Sequence, residues 1–376
     1  MNKIAKQYCA NCVLPRTRPN INFDLDGRNC NCIFSSKNKN IDWTLREKQF
    51  RKIVNKIKGK NKAYDCIIPV SGGKDSTWQV IKALEYDLKI LAVTWKTPVR
   101  TELGQKNLEN LIRLGVDHYD ISVNPNTEKL FTKKTFIKMG SPVIPMHMAL
   151  HAIPVNLARK LDIPLIIWGE NSAFEYGSDI DELKEFTLTR EWLMKYGVTN
   201  GTIAEDWVDE ELSIKDLEIY RWPSESEQKE MDLSAIFLGH FFSWDPRRTF
   251  EIASQSGFES AKKPLTGLYE FADIDDEFLI TIHHWIKWYK FGFTRLWDNL
   301  SIEIRNNRMS RQDAIKIIER IGNEEPTKEI SEFCKYIGIN LEEYFTIVEK
   351  FRNKDIRKKN QGKWMIKNFL IDNWDW

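Results

Sequence analysis

The sequence has few cysteines and no long uncharged apolar run. Six cysteines occur in 376 residues, and none lies between Cys66 and Cys334. Charged side chains interrupt every apolar segment before it reaches the ~20 residues that a membrane-spanning helix needs. The N-terminal residues also lack the apolar core of a secretory signal. We therefore expect a cytoplasmic protein whose stability does not depend on disulfide bonds.

Charges of the two signs are nearly balanced. The chain has 56 Lys and Arg residues against 54 Asp and Glu residues, which leaves a formal net charge of +2. A dedicated RNA- or DNA-binding protein carries a clearer basic excess, so this balance disfavours nucleic acid as a partner. The length of 376 residues allows a sizeable core with one or two smaller appendages.

Four cysteines are packed into residues 1–40, a segment with little helical or strand periodicity. Cys9-x-x-Cys12 and Cys30-x-Cys32 offer four thiolates, which suits a tetrahedral structural Zn²⁺ with Zn–S distances of ~2.3 Å. An iron–sulfur cluster uses the same ligands, and free or disulfide-paired thiols are the remaining alternatives. We predict a zinc-binding module at 1–40 and a linking helix at 41–60.

Between residues 61 and 270, short apolar runs alternate with longer amphipathic ones. This alternation predicts an α/β domain with a doubly wound parallel sheet. The predicted strands cover 66–70, 90–95, 118–123 and 165–168, and the predicted helices cover 76–84, 102–114 and 146–161. Ligands of such a sheet bind beyond the carboxyl ends of its strands, so we expect the site at the turns after strands one, two and four.

Two further regions complete the predicted organisation. Residues 178–260 are rich in Trp, Asp and Glu and are predicted to form an insertion with a helix near 179–193. Residues 271–376 show helical spacing of apolar side chains and are predicted to form a helical C-terminal region. Its basic stretch, 352–363, is predicted to be a solvated helix.

The run Ser71-Gly72-Gly73-Lys74-Asp75-Ser76 directly follows the first predicted strand and opens a helix. Glycines allow backbone N–H groups to turn toward phosphate oxygens, and the helix N-terminus adds partial positive charge. Lys74 can neutralise a phosphate, Ser71 and Ser76 can donate hydrogen bonds, and Asp75 can hold Mg²⁺. The spacing differs from the Gly-x-x-x-x-Gly-Lys loop used for β/γ transfer, which favours cleavage between the α and β phosphates of ATP.

This loop resembles that of the PP-loop ATP-pyrophosphatases, enzymes with a HUP-like α/β fold. The chain also resembles one subgroup, the N-acetyl sugar amidotransferases of bacterial surface-glycan biosynthesis, in the blocks Tyr8–Pro15, Trp168–Asn171, Ser243–Asp245 and Lys290–Phe293. The resemblance implies that ATP and Mg²⁺ are used to adenylate an acetamido group, which ammonia converts to an acetamidino group. It also implies a HisH-like glutaminase that supplies the ammonia, with a HisF-like companion.

Further site residues are predicted around the loop. Thr94 and Gly169 are expected to join the nucleotide site, and Glu170, Asn171 and Tyr176 to act in catalysis; a simple helix cap at Asn171 or Ser172 is the alternative. An anionic sugar is expected to meet four basic side chains, namely His147, Lys287, Lys290 and Arg295. For these the alternatives are a packed histidine and a solvated basic helix face.

Two other functions stay open at this stage. One is a tRNA-modifying adenylating enzyme that uses the cysteine module as an RNA-binding finger, and the other is a non-catalytic nucleotide-binding protein. The lack of cysteine between residues 67 and 333 disfavours sulfur transfer. No Cys-His-Glu glutaminase unit is recognisable, so ammonia is expected to come from outside the chain.

Overall fold

The computed structural model describes residues 7–37, 41–169, 186–229, 232–372 and 374. Within this part of the chain, five parallel strands form the central sheet: β1 Cys66–Pro69, β2 Ile90–Trp95, β3 Asp117–Ile121, β4 Leu165–Trp168 and β5 Ser234–Phe237. Their order is β3-β2-β1-β4-β5. The chain adds β2 and β3 on one side of β1 and then adds β4 and β5 on the other. This reversal opens a crevice at the carboxyl ends of β1 and β4.

Both faces of the sheet are covered, because side chains alternate across each strand. Ile67 and Leu91 point into one apolar cluster, which also contains apolar side chains of the C-terminal helices. Cys66 and Ile68 point into the opposite cluster, where Phe50 of the linking helix packs. These strands are therefore buried on both sides, as expected of a doubly wound parallel sheet.

The described part of the first half of the chain has six helices, four of which begin and end close to the predicted positions. They are α1 Cys30–Lys37, α2 Trp43–Lys58, α3 Lys74–Leu84, α4 Glu102–Ile112, α5 Pro125–Met139 and α6 Ile144–Leu161. Local signals explain the ends: Asp42 accepts from Leu45 N at the start of α2, and Gly140 adopts a left-handed conformation after α5. The predicted α/β architecture is confirmed, although α1 and α5 are not among the predicted helices.

The second half is mostly helical. Its helices are α7 Arg190–Tyr196, α8 Ile214–Leu217, α9 Glu225–Lys229, α10 Leu238–Phe241, α11 Pro246–Gln255, α12 Leu279–Phe291, α13 Arg295–Arg305, α14 Arg311–Ile321, α15 Thr327–Ile337 and α16 Leu341–Lys350, with short 3₁₀ turns at Ala204–Trp207 and Glu218–Tyr220. The predicted helical C-terminal region is thus confirmed. None of the helices in the described ranges is long and apolar enough to cross a membrane.

Two predictions for this half need correction. The basic stretch predicted as a helix instead forms an antiparallel hairpin, β6 Arg357–Asn360 and β7 Lys363–Ile366. Gln361 and Gly362 both have positive φ angles, of 47° and 83°, which is the geometry of a tight hairpin turn. The region predicted as an insertion contains β5, which pairs with β4 and belongs to the sheet. Of the helix predicted near 179–193, residues 179–185 lie outside the described residues.

Candidate functional site

The loop after β1 depends on glycine for its path. Gly72 has a φ of +87°, and a Cβ atom there would lie 2.7 Å from the backbone nitrogen of Leu108 in α4. Gly73 then caps α3 through its backbone alone. A bound anion can therefore take the place of the capping side chain and meet the first N–H groups of α3.

The two serines of the loop stabilise its conformation. Ser71 Oγ accepts from the backbone nitrogen of Gly73 at 3.2 Å. Ser76 Oγ donates to the carbonyl oxygen of Gly73 at 2.9 Å. Both serines line the cleft described below. In the structure their hydrogen bonds hold the loop itself, whereas the sequence predicts that they donate to a phosphate.

Replacing Gly72 by alanine should destabilise the protein more than replacing Gly115 by alanine. Gly115 has a φ of +100°, but a Cβ atom there would have no neighbouring atom within 4 Å, so its substitution reports backbone strain alone. Such strain costs about 1–3 kcal/mol. At Gly72 the contact with Leu108 adds an overpacking cost of about 1–3 kcal/mol. Urea unfolding of both variants measures the difference, and equal losses would contradict the close contact.

The carboxylate of Asp75 is held by residues from α11 and the segment before it. Its Oδ1 accepts from Trp244 Nε1 and from Thr249 Oγ1, each at 2.9 Å, and its Oδ2 accepts from the ammonium group of Lys74. That ammonium group also lies 5.5 Å from the ring centroids of Trp244 and Phe271. The two charged residues of the loop are therefore fixed in orientation before any ligand binds. The Ser243–Asp245 block stands out in the sequence, but sequence reasoning predicts no role for Trp244 or Thr249.

A second acidic segment lies against the loop. The carbonyl oxygen of Asp275 accepts from Thr101 N at 3.2 Å, and a Cβ atom on Gly104 would lie 2.6 Å from the Asp275 Cα atom. Burial raises the pKa of the Asp275 carboxyl to about 6, and the charge of Asp273 acts in the same direction. Asp75, Asp273 and Asp275 all line one cleft, and carboxylate oxygens are the ligands that Mg²⁺ takes in proteins. No sequence motif points to this second segment.

Two histidines on α6 face the cleft in a defined protonation state. Nδ1 of His147 lies 2.8 Å from the Val143 carbonyl oxygen, and Nδ1 of His151 lies 2.7 Å from the His147 carbonyl oxygen. A carbonyl oxygen can only accept, so each Nδ1 carries the hydrogen and each Nε2 keeps a lone pair. Burial lowers the pKa of both imidazoles to about 4. Both rings are therefore neutral hydrogen-bond acceptors near pH 7.

Aromatic rings form the wall beside these histidines. The His151 ring stacks on Trp168 with centroids 5.0 Å apart. Trp192 contacts Phe237 at 4.9 Å and Tyr196 at 5.6 Å. All five residues line the same cleft. A wall of this kind suits the apolar face of a ring-shaped ligand.

The cleft has a volume of about 420 Å³ and lies beyond the carboxyl ends of β1 and β4. Its floor is the loop after β1, and α6, α7, α11, α13 and the 269–275 segment form its sides. Eight of the site residues predicted from the sequence line this cleft: Ser71, Gly73, Lys74, Asp75, Ser76, His147, Gly169 and Arg295. The loop after β1, Gly169 after β4 and the C-terminal region thus meet at one cleft.

Other predicted site residues have structural partners outside the lining of the cleft. Thr94 donates its hydroxyl to the Val70 carbonyl oxygen at 2.8 Å and so ties β2 to the end of β1. Lys287 faces the buried carboxylate of Asp298 at 3.9 Å. Lys290 donates to the carbonyl oxygen of Met139 at 2.6 Å. The predicted catalytic residues of the turn after β4 lie outside the described residues, namely Glu170, Asn171 and Tyr176.

Three of the four N-terminal cysteines form a compact group. The sulfur atoms of Cys9, Cys12 and Cys32 lie within 4.8 Å of one another and are buried, and they are the only such group of ligand atoms within the described ranges. Asn29 donates from its backbone nitrogen to Cys9 Sγ at 3.3 Å and from Nδ2 to Cys12 Sγ at 3.0 Å. These N–H groups suit thiolate sulfurs, so the residues present fit a metal ion. Cys30, predicted as the fourth ligand, is not part of this group.

The C-terminal part of the chain matches a known family. Residues 266–370 match the family model described as "LPS biosynthesis protein WbpG-like, C-terminal domain". We refer to residues 266–370 as the WbpG-like domain. The match contains the Lys290–Phe293 block and Arg295, and it confirms the resemblance predicted from the sequence. The WbpG-like domain supplies one side of the cleft, including Asp273, Asp275, Arg295 and Asn299.

Solved structures with some similarity include two enzymes. One is NMN synthetase from Francisella tularensis, with 13% identity, 80% of this chain and 94% of that chain covered, and a TM-score of 0.33. The other is the tRNA thiolase NcsA from Methanococcus maripaludis, described with its 4Fe-4S cluster, with 12% identity, 93% and 90% of the two chains covered, and a TM-score of 0.32. A comparison with curated proteins gave no match.

Proposed function

We propose that this protein is an ATP-dependent amidotransferase that acts on a bacterial surface-glycan sugar. It adenylates the acetamido group of the sugar and uses ammonia to convert that group to an acetamidino group, releasing AMP and pyrophosphate. This proposal combines an ATP-pyrophosphatase type of activation with a nitrogen nucleophile from outside the chain. The sugar is an anionic one, as in lipopolysaccharide precursors.

One observation carries the proposal: the glycine-rich loop and the WbpG-like domain build a single cleft. Lys74 and Asp75 come from the loop, and Asp275, Arg295 and Asn299 come from the domain whose family is named for lipopolysaccharide biosynthesis. A cleft of about 420 Å³ is in the range of small-molecule sites. The nucleotide and the glycan precursor would therefore meet in the same enclosed volume.

In the first step, the acetamide oxygen attacks the α-phosphorus of ATP and pyrophosphate leaves. The N-terminus of α3 and the ammonium group of Lys74 are placed to stabilise negative charge on the phosphoryl oxygens. Asp75 would hold Mg²⁺ together with the pyrophosphate oxygens, and the ion would supply positive charge where the leaving group forms. Trp244 and Thr249 keep the Asp75 carboxylate in this position.

In the second step, ammonia attacks the carbon of the O-adenylated acetamide and AMP leaves with the electrons of the broken C–O bond. The new C–N bond takes its electron pair from ammonia, and the nitrogen loses one proton as the amidinium product forms. His147 lines the cleft, and the lone pair on its Nε2 can accept from this N–H group or from a sugar hydroxyl. A neutral imidazole is suited to both contacts.

The aromatic wall of the cleft beside His151 has the character of a sugar site. Trp192, Trp168 and Tyr196 offer aromatic faces, and carbohydrate rings present C–H faces that pack on them. Arg295 brings a permanent positive charge to the same cleft, and its planar guanidinium matches a carboxylate or phosphate of an anionic sugar. The predicted roles of Glu170, Asn171 and Tyr176 remain part of this proposal.

The nitrogen donor is proposed to be a separate protein. A HisH-like glutaminase with a HisF-like companion would release ammonia beside this chain, because the sequence has no recognisable glutaminase unit of its own. Supplying an ammonium salt in excess should replace this partner in vitro. The partner therefore does not need to be identified before the reaction is tested.

The test is product formation with labelled ammonia. Purified protein is incubated with MgATP, candidate acetamido sugar acids or their nucleotide-activated forms, and ¹⁵N-ammonium chloride. The proposal expects AMP and pyrophosphate only when both sugar and ATP are present, and an amidino sugar that contains ¹⁵N by mass spectrometry. AMP release triggered by tRNA, or nucleotide binding without any turnover, would contradict it.

A further inference from the structure

A buried carboxylate of the WbpG-like domain lies beside the cleft without lining it. Glu303 of α13 is 1% exposed, whereas the preceding residue, Ile302, lines the cleft. Arg308 donates to this carboxylate from Nε and from one terminal nitrogen, each at 2.9 Å, and Arg247 donates from Nε at 3.0 Å. Tyr269 donates its hydroxyl at 2.6 Å. A charge is costly to bury unless such partners surround it, yet none of the roles proposed above uses Glu303.

Glu303 is ionised at neutral pH in spite of its burial. Burial alone would raise the pKa of its carboxyl, but the hydrogen bonds from Arg308 and Tyr269 and the charges of Arg308 and Arg247 outweigh burial and lower the pKa. The side chains of Arg308 and Arg247 are themselves 28% and 49% exposed. Both arginines can turn to water when the charge at 303 is removed, so a neutral residue there should still allow the chain to fold.

The partners of Glu303 fix the start of α11, a helix outside the WbpG-like domain. Arg308 joins Glu303 to Asp245, whose Oδ2 accepts from it at 2.8 Å. Oδ1 of Asp245 caps α11 by accepting from the backbone nitrogen of Arg247 at 3.0 Å. The side chain of Arg247 then returns to Glu303. These four charged residues form a closed ring of contacts that joins α11 to α13.

The beginning of α11 holds Asp75 of the glycine-rich loop. Trp244 directly precedes the cap residue Asp245, and Thr249 lies within the first turns of the helix. Both side chains donate to Asp75 Oδ1 at 2.9 Å. A shift of α11 therefore moves both of these donors at once, and the ring of contacts around Glu303 determines where α11 begins.

A second connection leads from Glu303 to Lys74. The Tyr269 ring, whose hydroxyl binds Glu303, stacks on Phe271 with centroids 4.9 Å apart. Phe271 also stacks on Phe250 of α11 at 4.5 Å. The ammonium group of Lys74 lies 5.5 Å from the Phe271 ring centroid, within the range of a cation–π contact. The same carboxylate thus supports the contacts of both charged residues of the loop.

We propose that Glu303 is a positioning residue, which holds Asp75 in the orientation that binds Mg²⁺ and Lys74 in the orientation that meets the phosphates. This inference rests on the ATP- and Mg²⁺-dependent step of the proposed function. Glu303 does not line the cleft, so it acts through α11 and Tyr269 and not by contact with a ligand. The WbpG-like domain therefore takes part in the nucleotide site as well as in the sugar site.

Binding of Mn²⁺ in the absence of turnover tests this role. Mn²⁺ takes the same oxygen ligands as Mg²⁺ and is detected by electron paramagnetic resonance. The nucleotide is α,β-methylene-ATP, because the bond between its α and β phosphates is not cleaved. Glu303→Gln keeps the size of the side chain and removes its charge. Loss of an outer partner of a metal ligand costs about 10–100-fold, so we expect Mn²⁺ affinity to fall about tenfold or more. The free Mg²⁺ that gives half-maximal AMP formation should rise by a similar factor.

Glu227→Gln is the matched control. Glu227 also lies between two arginines, since Arg159 donates to it at 2.5 Å and Arg221 at 3.0 Å, but none of these three residues lines the cleft. This variant should keep the Mn²⁺ affinity of wild type. Thermal unfolding of both variants measures how much stability each loses, so that a fall in affinity caused by weaker folding is recognised.

Two further variants keep the test independent of how well Glu303→Gln folds. Asp245→Asn retains the helix cap, because Asn caps a helix as well as Asp does, but it weakens the link to Arg308. Mn²⁺ affinity should fall again. Thr249→Val removes a donor to Asp75. Combined with Glu303→Gln, it should cost less than the product of the two separate losses, because changes within one network are not additive.

The outcomes separate the positioning role from the reaction. Suppose that wild-type protein binds Mn²⁺ with the ATP analogue, but Glu303→Gln and Asp245→Asn bind it equally well. The positioning role is then overturned and the proposed function stands. The same conclusion follows if the losses of Glu303→Gln and Thr249→Val simply multiply. If wild-type protein binds no Mn²⁺ with the analogue, the ATP-dependent function and the positioning role fall together.

Discussion

Replacing Lys74 by methionine should lower the rate of AMP formation by about 10²–10³-fold, the cost of removing one preorganised charge from a transition state that gains charge. Lys74 is almost fully buried, with 7% of its side chain exposed, and its ammonium group contacts Asp75 inside the cleft. Methionine keeps the length and packing of the side chain and removes only the charge. The rate is measured by sugar-dependent release of labelled AMP at saturating ATP.

The matched control is Lys82→Met on the same helix. Lys82 pairs with Glu85 at 2.6 Å on the outer face of α3, away from the cleft. This exposed pair is worth well under about 1 kcal/mol, so the control should keep both its stability and its rate. A Lys74→Met enzyme with full activity would show that this lysine does not stabilise the phosphoryl group. Equal rate losses in both variants would point instead to a general effect on α3.

The parts of the fold that can be predicted from the sequence are those with local signals. β2 and β4 begin and end as predicted, because each is a short run of apolar and β-branched residues between polar turns. The loop from Ser71 to Ser76 is recognisable because strand, glycines and helix follow one another directly. By contrast, β5, Ser234–Phe237, opens with an exposed serine and a half-buried alanine, and it becomes a strand because β4 is beside it. This mixed pattern carries too little information without its partner.

The residues of the site fall into two similar groups, those that a local sequence pattern predicts and those that only the folded chain brings together. Lys74 and Asp75 are predictable, but Trp244 and Thr249, which orient Asp75, lie 169 and 174 residues further along the chain. Only the packing of α11 on α3 brings them together. For the lysines of α12 the sequence predicts contacts with a ligand, whereas the structure gives them partners within the protein. A lysine on an amphipathic helix has the same sequence pattern whether it contacts a ligand, solvent or a protein acceptor. For Lys290 that acceptor is a backbone carbonyl, which no sequence pattern reveals.

Replacing Cys12 by alanine should release the metal ion and loosen the N-terminal module, whereas Cys30→Ala should retain both. Cys12 Sγ belongs to the group of three sulfurs and accepts from Asn29 Nδ2 at 3.0 Å. Loss of an outer hydrogen-bond partner alone costs about 10–100-fold in metal affinity, and loss of a ligand should exceed this.

Cys12 also connects the N-terminal module to the rest of the chain. Loss of the metal ion should therefore lower the thermal stability of the protein. Arg311 Nε at the start of α14 donates to the Cys12 carbonyl oxygen at 3.0 Å. A segment with little core of its own depends on its metal for folding, so Cys12→Ala should lower the Tm and expose residues 7–37 to limited proteolysis. Elemental analysis of wild type, Cys12→Ala and Cys30→Ala measures the metal and separates zinc from iron. Loss of the metal in Cys30→Ala would show that this cysteine is a fourth ligand and that the module rearranges when the ion binds.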